Sequence, residues 1–265
     1  MVTQRTVTGR ARWERLGRAV AVPFVLLAVW QLLSRDPERS YIFVPLESVA
    51  RSFVDTVLSG ELPRSLAASL RKALLALVLG STAGLSLGSL LASAAWVDRA
   101  VSPFLHAFRQ VPVLGLAPLM GLWLGTGELA KVSLVFLAVF YPVLLNTYAG
   151  VKNIDVRLLE VARVHGLDRW QTFRKVTLPA VIPFFLTGLS HAIAFAWIAT
   201  VGSEMLLTAG IGMGSMMQHA QVGGRMDVVL VCVLSIGLTS LAIDRLVRGL
   251  GLRTTRWQDT AEARP

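Results

Sequence analysis

The chain has 265 residues, of which 54% are hydrophobic and only 16% are charged. Soluble domains contain about 45–50% apolar and about 25% charged residues, so this composition excludes an ordinary soluble enzyme. The net charge of +10 results from 26 basic and 16 acidic residues. These charges lie mainly between apolar stretches, which indicates membrane topology rather than a nucleic-acid partner.

Six uncharged stretches of the chain approach the length of a membrane span. They are residues 19–34, 73–97, 110–127, 132–151, 176–203 and 228–243. A helix crosses a hydrocarbon core of about 30 Å with about 20 apolar residues, and about 17–25 are tolerated. We therefore predict an all-α membrane protein with six transmembrane helices. Cys232, the single cysteine, lies in the last stretch and is predicted to be a small buried side chain rather than part of a disulfide or metal site.

The gaps between these stretches differ in basic charge. When they are assigned alternately to the two sides of the membrane, the side of the N-terminus receives 18 lysines and arginines and the other side receives 8. Acidic residues divide evenly between the sides. Because basic residues near span ends favour the cytoplasm, both termini are predicted to be cytoplasmic. No small-x-small cleavage site follows the first stretch, so we interpret it as an uncleaved span.

The segment after the first span is predicted to contain a short amphipathic helix. From Leu46 to Leu58, a single helical face carries Val49, Phe53, Val54 and Val57. Two interpretations remain open, an interfacial helix on the outer surface and a loop helix packed on the spans.

Small residues at four-residue spacing characterise the second stretch. Gly80, Gly84 and Gly88 form two overlapping G-x-x-x-G patterns, which allow helix backbones to approach closely in a membrane. The pattern predicts a packed interface, either within one subunit or between two. Arg109 and Pro112 lie at the start of the third stretch. This stretch is predicted to be a span beside a pore.

The inner loop between spans four and five is predicted to form two short helices separated by Gly166. Asn153 or Asp155 is suited to cap the first, and Gly166 is suited to end it in a left-handed conformation. Asp168 and Gln171 have the spacing of a capping box for the second. The loop exposes a partly apolar face, which favours coverage by another protein.

A motif in this loop resembles a known family. The residues are Glu160, Ala162, Gly166, Val176, Leu178 and Pro179. Their spacing is similar to the EAA motif of bacterial ABC importer permeases, with valines at the second and the isoleucine positions. Pro112, Pro118, Trp123 and Trp197 extend the likeness to the sulfonate, nitrate and taurine subgroup, over about residues 45–257. The alternative, a juxtamembrane helix that binds lipid headgroups, does not explain the spacing.

The resemblance implies a type I ABC importer permease fold and a function as the transmembrane permease subunit. The expected cargo is a small anionic solute moved into the cytoplasm across the bacterial inner membrane. The resemblance also implies a homodimer, an ATPase subunit seated on the Glu160–Gly166 coupling helix, an extracytoplasmic solute-binding protein and contact with membrane lipid, but no nucleic acid. No P-loop is present, so we expect no enzymatic activity and no cofactor in this chain, with ATP and magnesium bound by the partner ATPase.

Polar residues within the spans are candidates for the translocation pathway, because ionisable groups are expensive there. Glu204 is expected either to face the pathway or to reach the membrane interface by snorkelling. His191 is expected either to pack between helices or to contact solute. Trp197 and Arg109 complete the predicted pathway residues.

The predicted domains are residues 1–60 (the arginine-rich start, the first span and a periplasmic linker), residues 61–250 (the transport domain) and residues 251–265 (a cytoplasmic tail). The alternative function is a secondary transporter that works without an ATPase. It would be expected to show an inverted repeat and charged relay groups in several spans, and neither is evident in the sequence.

Overall fold

The computed structural model describes residues 21–22, 24–36, 43–207 and 209–254. These residues form helices and connecting turns, and no β-strand occurs among them. The helices are α1 (Phe24–Leu33), α2 (Leu46–Leu58), α3 (Glu61–Ser93), α4 (Ala95–Phe108), α5 (Ala117–Leu124), α6 (Glu128–Lys152), α7 (Val156–Val164), α8 (Arg169–Thr172), α9 (Leu178–Leu206), α10 (Met213–Val222) and α11 (Met226–Thr254). The predicted all-α class is confirmed.

Four helices of the described chain are long and apolar enough to cross a membrane. They are α3, α6, the continuous helix Arg169–Leu206 that includes α8 and α9, and the segment Met226–Val247 of α11. The first predicted span is described only in part, as the ten-residue helix Phe24–Leu33. The protein is therefore a multi-pass membrane protein.

The third predicted span, over residues 110–127, is not a single straight helix. The chain instead forms α4, a 3₁₀ turn at Val113–Leu116 and α5, and the two halves of this pair are bent by 85°. Pro112 and Pro118 lie on either side of the turn, and proline removes a backbone donor and clashes with the preceding turn of a helix. The eight residues of α5 extend only about 12 Å, so α5 does not cross a membrane alone.

The second span begins earlier than predicted. Helix α3 starts at Glu61, whereas the uncharged stretch starts at residue 73. Arg71 and Lys72 lie just before the uncharged stretch and are part of the helix, and each has an acidic partner elsewhere in the fold. Counting uncharged residues therefore misplaced this end of the helix.

Helix α2 packs on the spans through a face that shares only Val49 with the predicted one. Val49, Ser52 and Thr56 are buried, whereas Phe53 and Val54 are exposed. The hydroxyl of Ser52 donates a hydrogen bond to the carboxylate of Asp227 at the start of α11. Of the two open interpretations, the structure therefore shows the helix packed on the spans.

Close contacts between α3 and α6 form the centre of the helix packing. A Cβ atom built on Gly84 would lie 2.9 Å from the backbone nitrogen of Leu144, and one on Gly88 would lie 2.6 Å from the Leu144 carbonyl oxygen. The predicted glycine interface is therefore confirmed, and it lies within one subunit. Cys232 is buried as predicted and packs in a cluster with Met213, Met216 and Val231.

Alanine at Gly88 should destabilise the protein, because its methyl group would push α3 away from α6. Overpacking of this kind typically costs about 1–3 kcal/mol. Gly237 on α11 is the matched control, since a Cβ atom there meets nothing within 4 Å, and helix propensity favours alanine over glycine. In detergent, Gly88→Ala should lower the thermal unfolding midpoint and Gly237→Ala should not. Equal midpoints for both variants would contradict the close packing.

Candidate functional site

The loop between α6 and α9, here called the α6–α9 loop (residues 153–177), contains a helix that is capped at both ends. At its start, the side chain of Asp155 accepts a hydrogen bond of 2.9 Å from the amide of Arg157. At its end, Gly166 has φ +66°, and the amide of Leu167 donates to the carbonyl of Ala162 at 3.0 Å. This Schellman geometry satisfies the last carbonyls of α7. The predicted capping residues are confirmed, and α7 is a defined rigid element.

The sequence predicted a separate second helix in the loop. In the structure, this helix is continuous with α9. Asp168 and Gln171 make the predicted capping box, with 2.8 Å from the Gln171 amide to the Asp168 carboxylate. The helix then continues through a wider π-helical turn at Phe173–Thr177 into α9. Pro179 has no N–H for the carbonyl of the preceding turn, which accounts for the irregular geometry just before it.

The apolar side chains of α7 point away from the rest of the chain. Val164 is 85% exposed and Val156 is 64% exposed, while Ala162 on the opposite face is 2% exposed. Trp170, beyond the turn, is also exposed. An apolar face of this kind is unusual for a segment that leads out of a membrane span, and it is typical of a surface that another protein covers.

The residues of the predicted coupling motif lie in this loop and in the first turn of α9, and they differ in exposure. Glu160 and Gly166 are exposed, Ala162 is buried, and Val176 and Pro179 are half-buried. Leu178 is 40% exposed at the start of α9. A cavity of about 340 Å³ lies between α7 and the first turns of α9, lined by residues that include Leu159, Arg163, Leu167 and Phe173.

A buried cluster of charged residues lies at the other end of α9. The carboxylate of Glu204 is fully buried and forms an ion pair of 2.8 Å with Lys72 on α3. The same carboxylate accepts hydrogen bonds of 2.8 Å from the hydroxyl of Ser69 and from the amide of Gly214. Removal of one member of a buried pair leaves an uncompensated charge, so this cluster contributes strongly to the integrity of the fold.

Two lysines of this cluster hold the connection between α9 and α10, here called the α9–α10 loop (residues 207 and 209–212). Lys72 donates to the carbonyl of Ile211 at 2.8 Å. Lys131, which is 1% exposed on α6, donates to the carbonyl of Ala209. Gly212 and Gly214 contact Glu204 so closely that neither position has space for a side chain. The loop is therefore fixed by buried charges from two different helices.

The sequence identified Glu204 but missed its partners. Lys72 and Lys131 were counted among the charges of the connecting segments, whereas the structure buries both. The snorkelling alternative for Glu204 is wrong, because its side chain has no exposed surface. The available signal was the cost of a carboxylate within an apolar stretch, which requires a buried cation nearby.

The other predicted pathway residues do not form one cluster with Glu204. Arg109 lines an apolar cavity of about 450 Å³, together with residues that include Val111, Tyr141, Phe195 and Ile198. Trp197 is 4% exposed and packed inside the helix bundle, whereas His191 is exposed on the surface of α9. Of the four predicted pathway residues, Arg109 is the one that lines this cavity.

Removal of the Glu204 carboxylate should destabilise the protein. Glu204→Ala leaves Lys72 buried without its partner, a change that costs about 3–5 kcal/mol. Glu204→Gln retains an oxygen that accepts from Ser69 and Gly214, so it should cost less. Thermal unfolding of the purified protein in detergent would measure both effects. Equal stability of the wild type and Glu204→Ala would contradict the buried ion pair.

Comparison with known proteins agrees with this architecture. The family described as "Binding-protein-dependent transport system inner membrane component" matches residues 62–256. The chain is 31% identical over 259 residues to a putative aliphatic sulfonates transport permease protein, SsuC, of Bacillus subtilis, covering 97% of this chain and 93% of that one. It is also 31% identical to the taurine transport system permease protein TauC of Escherichia coli, covering 97% of both chains.

A solved structure shares the fold of this chain. The crystal structure of a bacterial ABC transporter involved in the import of the acidic polysaccharide alginate has a TM-score of 0.66 at 16% identity, and the match covers 92% of this chain and 98% of that one. The matched length and the helical architecture thus agree with the sequence relationships. The chain belongs to the family of binding-protein-dependent transport system inner membrane components, and it is a transmembrane permease subunit of an ABC importer.

Proposed function

We propose that α7 is the coupling helix of this permease and binds a separate ATPase subunit that holds ATP and magnesium. The observation that carries the proposal is the exposed apolar face of α7 on a helix capped at both ends. A stiff helix transmits a displacement of its partner instead of absorbing it. The continuous helix from Arg169 to Leu206 then carries that displacement into the membrane.

In this proposal, the α6–α9 loop and both termini lie in the cytoplasm of a bacterial cell, and the chain spans the inner membrane. The excess of basic residues on one side supports this orientation. Two copies of the chain form the transport unit, and an extracytoplasmic binding protein delivers the solute. The chain itself performs no catalysis, since ATP hydrolysis takes place on the partner subunits.

The proposed cargo is a small organic anion of the sulfonate or taurine type, as in the names of the two relatives. The cavity beside Arg109 supports this class, because an arginine is among its lining residues and its other walls are mainly apolar. Arginine binds oxyanions such as carboxylate and phosphate through paired hydrogen bonds, and the walls suit an aliphatic body. Arg109 and His191 are exposed and are the proposed pathway contacts, while the buried Trp197 and Glu204 support the pathway from behind.

Glutamate at Val164 should weaken binding of the ATPase, because it places a charge on the apolar face of α7. Val222, at the end of α10, is the matched control, since both valines are 85% exposed. In membranes that contain the whole transporter, Val164→Glu should reduce copurification of the ATPase and uptake of radiolabelled taurine by about tenfold, the scale of one lost anchor side chain. Val222→Glu should preserve copurification.

Glu160→Lys should also reduce copurification of the ATPase, because Glu160 is exposed on the same helix. If Val164→Glu and Glu160→Lys both retain the ATPase and full uptake, α7 is not the coupling helix.

The proposed orientation predicts that a cysteine introduced by Asp168→Cys is inaccessible from outside the cell. Cys232, the native cysteine, is buried and would be replaced by alanine first. A membrane-impermeant maleimide should label Asp168→Cys only after permeabilisation, and it should label the control Val222→Cys in intact cells. The reverse pattern would show that the orientation is inverted.

A further inference from the structure

The two functional ends of this permease are joined by one helix. The helix from Arg169 to Leu206 has 38 residues and therefore extends about 57 Å. It begins beside α7 and ends in the turn that carries Glu204. Any tilt or shift produced at the α6–α9 loop therefore reaches Glu204.

At that end, side chains of α3, α6 and α9 bind one another and backbone groups of α10 and the α9–α10 loop. Glu204 on α9 binds Lys72 on α3 and the amide of Gly214 on α10. Ser69 on α3 donates to Glu204 and accepts from the amide of Met213. Through Lys72 and Lys131, the α9–α10 loop is bound as well.

We propose that Lys72, Lys131 and Glu204 are positioning residues that make α3, the start of α6, the end of α9 and the α9–α10 loop move as one body during transport. This inference rests on the proposed coupling function of α7. Separation of the buried pair would leave two charges without partners away from water, which is far more costly than sliding apolar surfaces past one another. These buried contacts therefore transmit a displacement of α9 to α3 and to the α9–α10 loop.

The α9–α10 loop lines a cavity, so a displacement transmitted to this loop changes the shape of that cavity. Gly210, Ile211 and Gly212 form one wall of a cavity of about 280 Å³, and Arg64 and His219 form part of the others. Because Lys72 holds the carbonyl of Ile211, a displacement of α9 changes the position of this wall. In the proposed orientation, the cavity faces the side of the membrane from which the solute arrives.

The test compares transport with ATP consumption in the complete transporter, reconstituted in liposomes with its ATPase and binding protein. The double variant Lys72→Met/Glu204→Gln removes both charges but preserves side-chain size and the acceptor for Ser69. We expect uptake per ATP hydrolysed to fall about tenfold, the scale of one lost hydrogen bond to a charged group. ATP hydrolysis, which takes place on the partner subunits, should continue.

The matched control is Arg71→Met/Glu128→Gln, which removes an ion pair at exposed positions between the neighbouring residue of α3 and the start of α6. This control should retain the wild-type ratio of uptake to ATP hydrolysed. A ratio within about twofold of the wild type in Lys72→Met/Glu204→Gln would overturn the proposal, because the loss of one hydrogen bond to a charged group corresponds to a larger factor.

Lys131→Met is the second variant, should the double variant fail to assemble. It removes only the donor to Ala209 and leaves the ion pair in place. We expect uptake per ATP to fall about threefold, since one of the two lysine anchors of the loop remains. An unchanged ratio would overturn the proposal. These outcomes are distinct from failure of the coupling function, which would show as retained ATPase binding in Val164→Glu.

Discussion

The close approach of α6 to its two neighbouring helices determines where both ends of the permease lie. On one side, the glycines of α3 contact α6, and on the other side Gly188 of α9 does so, where an added Cβ atom would lie 2.9 Å from the Cβ of Asn146. In lipid, apolar surfaces gain little from leaving the solvent, so helices associate through short-range packing. Because α6 fixes the distance between α3 and α9, Lys72 and Glu204 come within hydrogen-bonding distance.

Near both ends of α9, side chains lie in surroundings that are unfavourable for them unless they have partners. At one end, the charges of Lys72 and Glu204 are buried, so they must be paired within the chain. At the other end, apolar side chains such as Val164 and Trp170 are exposed, so they are stabilised when another protein covers them. A single helix thus connects a charged cluster that the chain completes by itself with the surface proposed to bind a partner.

The features predicted correctly from the sequence depend on local interactions. Asp155 and Gly166 act on amides and carbonyls within a few residues, so their spacing was sufficient to predict α7 and its caps. The start of α3 could not be predicted in this way, because the partner of Lys72 is Glu204, 132 residues later in the chain. The prolines of the third stretch were visible, but the 85° bend depends on how α5 packs against α6 and α9.

The buried lysines also affect how the charges of the sequence are interpreted. Lys72 and Lys131 belong to the 8 basic residues that the alternating assignment places opposite the N-terminus. Lys72 is fixed inside the protein by Glu204 and the Ile211 carbonyl, and Lys131 by the Ala209 carbonyl. The positive-inside rule, by contrast, concerns residues in the segments that flank the spans. Without these two lysines, the basic charge on that side is smaller and the asymmetry that supports the proposed orientation is larger. Charges that appear to weaken the topological signal are those that hold the α9–α10 loop in place.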